Sequence, residues 1–387
     1  MDQRTIQILF ALLRSAICGT KITEEEKNNY SPELLQDLLK ISSVHDVVHL
    51  LVLGLKQNEL ITKENAELEK CILKAIWRYE RIEYEYEKLC AALENAHIPF
   101  LPLKGSVIRK YYPEEWMRTS CDIDVLVHRE DLEIAISYLV SHENYVEKER
   151  ATHDVSLFTQ NGIHVEIHFD LVEEGRAQNA IDILRSVWEN VTLRENSEYW
   201  YEMTDAYFYF YHIAHMAKHF ENGGCGIRPF IDLWILDRMK DIDLSARDVL
   251  LSQGRLLKFS NASRMLNEVW FRGKKPDKLS LQMQDFLLHG GVYGSTDNRV
   301  ALQQKKKGGR MGYVLSRIFI PYAKLKRYYP VLEKHRWLMP LMQIRRWFML
   351  LNPNVAKMAK REIAINGNLA KTKFDEMNAF LDNIGLN

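Results

Sequence analysis

The sequence predicts an α+β fold in which a small mixed β-sheet lies between two helical regions. Apolar residues recur at helical spacing through residues 1–90, and the same spacing returns over residues 201–387. Residues 91–200 instead contain short apolar runs with alternating side chains, bounded by turn residues, which are typical of strands. We therefore expect three domains: an N-terminal helical region (1–90), an α/β core (91–200) and a C-terminal helical region with a basic, aromatic segment (201–387).

The N-terminal helices are predicted from apolar stripes. Ile6, Leu9 and Leu13 share one helix face, residues 47–55 form a second apolar helix, and residues 65–96 form a long helix with a charged face. In the C-terminal region, segments that contain glycine interrupt the helical pattern. They lie at residues 221–226, 273–276, 290–294 and 305–309.

The core is predicted from its strand patterns. Asn161-Gly162 between two alternating runs is a strong hairpin signal. The strand that begins at Asp122 places alternate residues on opposite faces. In order, we expect a strand over residues 98–105, a helical turn over 107–112, and a strand over 121–127. A helix over 131–141 and strands over 155–159 and 164–171 complete the core.

Composition excludes several classes of protein. The 387 residues are 47% hydrophobic and carry 52 basic and 52 acidic side chains, so the chain is neither disordered nor a basic protein that coats nucleic acid along its length. The five cysteines are odd in number and lack CxxC spacing, which indicates free thiols in a reducing compartment. No run of 18 apolar residues is present. We expect a cytoplasmic protein.

Three carboxylates form the most informative constellation. Asp122 and Asp124 project from the same strand face, and Glu166 shares a face of a later strand with His164 and His168. If the two strands are neighbours, the three acids converge and repel one another unless a divalent cation neutralises them. Oxygen ligands suit Mg²⁺ or Mn²⁺, and such a site supports phosphoryl transfer. A lone D-x-D pair is a weak signal, and the alternative is a solvent-facing strand.

Candidate phosphate-binding residues precede these acids. Gly105 and Ser106 follow a strand, where a tight turn, a hydroxyl and a helix N-terminus suit an anion. Lys104 or Arg118 is a candidate for holding the charge of a triphosphate.

Gly105-Ser106, Asp122-x-Asp124 and Glu166 together resemble the core signature of the DNA polymerase beta-like nucleotidyltransferase superfamily. Within this superfamily, the chain is most similar to a bacterial family described as uncharacterised nucleotidyltransferases. The similarity lies in the segments LPLKG, CDIDVLV with Arg118 before it, and VEIHFDL. The similarity continues into a helical segment of that family, which resembles HIAHMAKHF and GIRPFIDLWIL here. In these segments His215, His219, Arg228 and Asp232 occupy the positions that the family's pattern has.

The resemblance implies a mixed sheet with flanking helices and an NTP as substrate. It implies that Asp122, Asp124 and Glu166 bind Mg²⁺ or Mn²⁺, that Glu166 acts as the base, and that Gly105 and Ser106 hold the β- and γ-phosphates. Asp170, on the same strand face, is a rival for the third acid, but Glu166 matches the family position better. The products would be a nucleotidylated acceptor and pyrophosphate.

Further polar residues have two interpretations. His215 and His219 lie four residues apart on one helix face, which fits core packing, a role near the nucleotide or acceptor, or a metal site. Arg228 and Asp232 have the same spacing, which fits either a structural ion pair or an arginine that contacts phosphate and is oriented by the acid. His168, beside Glu166, is a candidate for contact with the metal or acceptor.

Residues 299–346 are strongly basic, with interleaved Tyr and Trp and with Glu333 as their single acid. This pattern fits single-stranded nucleic acid. Since RWLMPLMQIRRWFMLL joins Trp and Arg to a broad apolar face, it also fits an anionic membrane surface. The third interpretation is a solvated basic face of a helical domain.

The leading hypothesis is a metal-dependent nucleotidyltransferase that transfers a nucleoside monophosphate from an NTP to a small-molecule, sugar or peptide acceptor. A second hypothesis is a nucleotide-binding module without catalysis that recruits partners. A third is a peripheral membrane enzyme with a lipid-linked acceptor. The sequence indicates no obligate protein partner.

Overall fold

The computed structural model describes residues 2–61, 66–172, 178–239, 242–292, 294–368 and 371–386. It shows an α+β architecture that is 65% helical, with one small mixed sheet and helical flanks, as predicted. None of the helices in these ranges is both long and apolar enough to cross a membrane. The expected cytoplasmic location stays a prediction.

The N-terminal region is helical, as its apolar stripes predict. The first helix begins after Asp2, whose carboxylate accepts a hydrogen bond from the backbone N–H of Arg4, and ends at Gly19 in the left-handed conformation. Asn65, the predicted first residue of the long helix, lies outside the described residues. The helices are α1 (Gln3–Cys18), α2 (Glu24–Asn28), α3 (Leu35–Val44), α4 (Val48–Gln57) and α5 (Ala66–Asn95).

The core contains a five-stranded mixed sheet. Its strands and helices, in chain order, are β1 (Phe100–Pro102), α6 (Lys104–Ile108), β2 (Asp122–Val127), α7 (Leu132–His142), β3 (Val146–Arg150), β4 (Asp154–Phe158) and β5 (His164–His168). The strand order is β1-β2-β5-β4-β3. β2 and β5 are parallel, and the other pairs are antiparallel. The predicted hairpin joins β4 to β5, with Gly162 at φ +76° in its turn.

The core differs from the sequence prediction in several details. The first strand is shorter than the predicted 98–105, because α6 already begins at Lys104, and β5 ends at His168 and not at residue 171. The edge strand β3 was not predicted because its side chains are all exposed and mostly charged, so that it lacks an apolar face. The chain also does not become helical at residue 200. After α8 (Gln178–Arg185), strands β6 (Val191–Leu193) and β7 (Tyr201–Met203) form a separate hairpin.

The C-terminal region is helical from residue 205. Its helices are α9 (Asp205–Phe220), α10 (Arg228–Leu236), α11 (Leu244–Gln253), α12 (Leu257–Arg272), α13 (Lys278–Leu288), α14 (Thr296–Lys306), α15 (Arg310–Ile318), α16 (Tyr322–Tyr328), α17 (Val331–Lys334), α18 (Met339–Trp347), α19 (Pro353–Asn368) and α20 (Lys371–Ile384).

Two apolar cores lie on opposite faces of the sheet. On one face, Ile123, Val125 and Val127 of β2 pack against α5 and α7. On the other face, a larger core joins α1 and α4 to α9, α10, α12 and α13, and includes Leu126. The N-terminal and C-terminal helices therefore share one core. The predicted division at residues 90 and 200 stays a prediction.

Candidate active site

The two aspartates of β2 lie on the sheet face that carries α9. As the alternation predicts, Ile123 and Val125 are fully buried on the opposite face, while Asp122 and Asp124 point away from them. Asp124 is deeply buried, and Asp122 is half-buried. The strand therefore holds one carboxylate inside the protein and presents the other toward solvent.

Strand pairing brings Glu166 to these aspartates. In the parallel register of β2 and β5, Asp124 lies opposite Glu166 and Asp122 lies opposite His164. Ligand atoms of Asp122, His164 and Glu166 lie within 4.8 Å of one another, and so do those of Asp124, Glu166 and His168. The predicted convergence is confirmed, and Glu166 belongs to both groups.

Two cationic side chains contact the inner group. Lys104 Nζ lies 2.7 Å from Asp124 Oδ1 and 4.0 Å from Glu166 Oε2. His168 Nε2 lies 2.9 Å from the same Asp124 oxygen and 3.2 Å from Glu166 Oε2. The backbone of Lys104 has φ +46°, a conformation that non-glycine residues adopt at a cost in free energy.

The protonation of the inner group follows from these contacts. Burial alone would raise the pKa of Asp124, but the ammonium of Lys104 and the hydrogen bond to His168 hold that pKa well below its usual range. Burial would lower the pKa of His168, but its hydrogen bonds to Asp124 and Glu166 raise it. The inner group therefore joins two acids to the ammonium of Lys104 and to an imidazole whose protonated form these acids favour.

The outer group lacks such neutralisation. Among the described residues, Asp122 makes no hydrogen bond or ion pair, and burial together with the charge of Asp124 raises its pKa. His164 directs Nδ1 toward Glu166 Oε1 at 3.9 Å, and its Nε2 lies 3.1 Å from Ser156 Oγ. A divalent cation fits this donor set, because Asp122 has no ion-pair partner among the described residues and its charge adds to that of the neighbouring Glu166.

Gly105 and Ser106 occupy different surroundings. Gly105 lines the cleft above the carboxylates, and a Cβ there would come within 3.3 Å of the Ser120 Cβ. Ser106 lies on the far side of α6, where its buried Oγ has no hydrogen-bond partner among the described residues. The structure thus brings Gly105, but not the Ser106 hydroxyl, to the predicted site.

Arg118 and Asp232 form a bidentate ion pair. Arg118 Nε and Nη2 donate to the two carboxylate oxygens at 2.7 and 2.8 Å, and Tyr112 donates to Oδ1 at 2.6 Å. Burial would raise the pKa of Asp232, but Arg118 outweighs it and lowers that pKa. The predicted alternative of an ion pair between Asp232 and Arg228 is wrong, since Arg118 occupies that position.

Arg228 instead contacts an acid from the N-terminal region. Its Nη1 donates to Asp46 Oδ2 at 2.8 Å and to the carbonyl oxygen of Thr119 at 3.1 Å. Asp46 lies between α3 and α4, has φ +55°, and also accepts hydrogen bonds from Arg78. Arg228 lines the same cleft as Asp122.

Helix α9 forms the opposite wall of the cleft. His215 and His219 lie with their Nε2 atoms 3.0 Å apart, and both line the cleft together with Tyr211 and Lys218. Burial and the charge of Lys104 lower the pKa of Lys218 to about 7. Neither histidine belongs to a candidate metal group among the described residues.

The cleft enclosed by these elements has a volume of about 440 Å³. A smaller apolar pocket of about 50 Å³ adjoins it and shares Lys104, His168 and Lys218 with it. Aliphatic side chains, including Leu171 and Leu184, form most of the remaining lining of this pocket. The polar groups therefore meet where a narrow apolar pocket joins a larger polar cleft.

Residues 31–272 match the family described as uncharacterised nucleotidyltransferase. The chain belongs to this family. No curated protein and no solved structure matches it significantly. As a member of a nucleotidyltransferase family, the chain is expected to bind an NTP, and it contains acidic groups that suit a divalent metal. The wider superfamily and the bacterial origin stay predictions.

Sequence reasoning did not single out several residues that line this cleft, among them Asp154, Tyr211 and Lys218, nor Asp46, the partner of Arg228. Lys218 lies three residues after His215 and seven after Tyr211, so helical spacing alone could have placed it on the same wall. Asp46 lies 182 residues before Arg228, and no local pattern links them.

Proposed function

We propose that this protein is a divalent-metal-dependent nucleotidyltransferase. It moves a nucleoside monophosphate from an NTP to a hydroxyl group of a small-molecule, sugar or peptide acceptor and releases pyrophosphate. The observation that carries the proposal is the convergence of Asp122, Asp124 and Glu166 on adjacent parallel strands, in a chain that belongs to a nucleotidyltransferase family.

Asp122 and Glu166 are the residues we assign to the metal at the cleft, with Asp124 as the buried third acid. Mg²⁺ or Mn²⁺ suits their oxygen donors. When bound, the cation would neutralise the carboxylates and the phosphate oxygens, which otherwise repel each other. Lys104 and His168 already neutralise the Asp124 side, so the cation is needed on the Asp122 side.

We assign the triphosphate to the wall that carries Arg228 and Gly105. Asp46 and Thr119 hold one guanidinium nitrogen of Arg228, so that the side chain is oriented before the ligand arrives. Gly105 lets phosphate approach the backbone closely. Arg118 already donates to both oxygens of Asp232, so we assign it to positioning the loop before β2.

The reaction is a displacement at the α-phosphorus. The acceptor oxygen forms a bond to the α-phosphorus, the bond from this atom to the oxygen that bridges to the β-phosphate breaks, and pyrophosphate leaves. The hydroxyl proton passes to Glu166, whose Oε2 contacts His168 while Oε1 faces the outer group. The contact of Oε2 with His168 thus fixes the direction in which Oε1 of Glu166 points.

The shape of the cleft supports a small acceptor. Its volume of about 440 Å³ lies in the range of small-molecule sites. The adjoining pocket, lined by Leu171 and Leu184, suits an apolar part of the acceptor. A long nucleic acid is less favoured, because the chain has zero net charge.

The test is release of pyrophosphate from each of the four NTPs, with Mg²⁺ and a small-molecule cell extract as the source of acceptors. Asp122→Asn and Glu166→Gln should reduce the rate, the latter by about 10²–10⁴-fold if Glu166 is the base. The exposed residues Asp182 and Glu130 provide matched controls, Asp182→Asn and Glu130→Gln, which should retain activity.

Full activity of Asp122→Asn or Glu166→Gln would refute the assignment of these residues. Nucleotide binding without pyrophosphate release in any extract would instead favour the nucleotide-binding module, which is the rival hypothesis.

A further inference from the structure

Helix α15 presents an apolar stripe to solvent. Met311, Leu315 and Ile318 lie at i, i+4 and i+7, and their exposed fractions are 73%, 48% and 39%. Tyr313, on the other side of the helix, is fully buried. An amphipathic helix normally turns its apolar side inward, so this stripe lacks a partner among the described residues.

A second stripe follows the helical run that contains α18. Its members lie at i, i+4, i+7 and i+11, so they share one side of the helix. Met342, on the opposite side, packs into a small core. The exposed members are Trp337 (76%), Leu341 (55%), Ile344 (45%) and Phe348 (64%).

The two stripes meet at their C-terminal ends. Trp347 Nε1 donates to the carbonyl oxygen of Ile318 at 2.9 Å, and Arg346 Nη2 donates to the same oxygen at 2.7 Å. The rings of Phe319 and Trp347 lie 5.7 Å apart, edge to face. We call the surface made by both stripes and Phe319 the apolar face. Exposed apolar surface of this kind, with polar side chains around it, is typical of an interaction site.

The segment that carries the apolar face is strongly basic. Residues 299–346 contain 13 Lys and Arg side chains and the single acid Glu333. Lys334 and Arg336 are exposed next to Trp337, and Arg345 is exposed next to Ile344. Three of the 13, Lys305, Lys306 and Arg327, have side chains that lie outside the described residues.

We propose that the apolar face binds the surface of an anionic lipid bilayer. Aliphatic side chains with Trp and Phe enter the acyl boundary, while the surrounding Lys and Arg contact anionic headgroups. A second copy of this chain fits less well, because two strongly basic faces repel each other. Single-stranded nucleic acid fits less well, because Leu341, Ile344 and Leu315 offer no ring on which a base could stack.

The experiment is co-sedimentation of the full chain with vesicles, and it requires neither NTP nor metal. One set of vesicles is phosphatidylcholine alone, and the other contains about one-third phosphatidylglycerol. We expect binding to the anionic set only. The double variant Trp337→Ala/Phe348→Ala should weaken it by at least about tenfold, because two large side chains no longer enter the bilayer.

Trp77 provides the matched control, because it is 62% exposed on α5, away from the apolar face. Trp77→Ala should bind as the unaltered protein does. The charge variant Lys334→Glu tests the headgroup contacts and should weaken binding by about fivefold or more.

Three results would overturn the proposal. They are the absence of vesicle binding, equal binding to both vesicle sets, and binding that the double variant retains. Binding of a single-stranded oligonucleotide in the absence of any vesicle binding would assign the surface to nucleic acid.

Discussion

Lys104→Met isolates the ammonium that neutralises the inner acidic group. Methionine keeps the length and flexibility of lysine and removes its charge. The lost contact is the 2.7 Å ion pair with Asp124, whose side chain is only 4% exposed, compared with 24% for Lys104. Removing one partner of a buried pair costs about 3–5 kcal/mol, because the other charge stays buried.

The expected loss is at the lower end, because His168 keeps its 2.9 Å contact with the same oxygen of Asp124. We use about 3 kcal/mol, which lowers the thermal midpoint of a chain of this size by about 4 °C, at an unfolding entropy of about 2.1 cal/mol/K per residue. The assay is thermal unfolding, first in chelator and then with Mn²⁺. Lys110→Met is the control, because Lys110 pairs with Glu202 at 3.4 Å outside the cleft.

Mn²⁺ should reverse the effect of the substitution. In the variant, Asp124 and Glu166 are free of the ammonium, so the cation binds more tightly and stabilises the variant more than the unaltered protein. At a concentration 100 times Kd, the stabilisation is about 2.7 kcal/mol. We expect the gap between the two midpoints to fall by about half or more. An unchanged gap, or equal stability in chelator, would refute the proposed neutralising role of Lys104.

Two further predictions concern Asp46 and His45. Asp46→Asn removes the carboxylate charge that holds the Arg228 side chain in place. Steady-state kinetics should then show a KM for NTP raised by about tenfold, with a smaller change in kcat. The exposed control Asp37→Asn should have the kinetic constants of the unaltered protein. Burial lowers the pKa of His45 to about 4 from its ordinary 6.5, so between these values only the unfolded chain takes up this proton and stability is lost as pH falls. The loss of stability is on the order of 3 kcal/mol. Acidification from about pH 7 to about pH 4.5 should therefore lower the thermal midpoint of His45→Leu less than that of the unaltered protein. The control His97→Leu, at an exposed position, should behave like the unaltered protein.

The strands of the site were predictable because their signals are local. A period of two residues places Asp122 and Asp124 on one face, and the structure has that face directed toward α9. The hairpin at Asn161-Gly162 depends on the turn alone, and it too is confirmed. The edge strand β3 was missed because it is mostly charged and has no apolar face. The strands β6 and β7 were missed because each has only three residues, too few for alternation to identify a strand.

The partners within the site were less predictable. Asp232 and Arg228 have ideal helical spacing for an ion pair, yet each contacts a residue from a distant segment. Helical spacing shows which residues share a face, but burial and the direction of each side chain select the partner. The roles of Asp122, Asp124, Glu166, Gly105 and Ser106 stay predictions, and for Ser106 the structure places the hydroxyl away from the cleft.

The sequence by itself determined the fold class, the face on which the two aspartates project, and the candidate acids. These properties depend on the periods of two residues in a strand and 3.6 residues in a helix, which can be read from residues close together in the sequence. Only the tertiary structure decided that β2 and β5 pair in parallel, that Lys104 and His168 neutralise Asp124, and that Asp46 holds Arg228. The physical reason is that contacts between distant segments depend on how the two apolar cores pack, and no single segment carries that information.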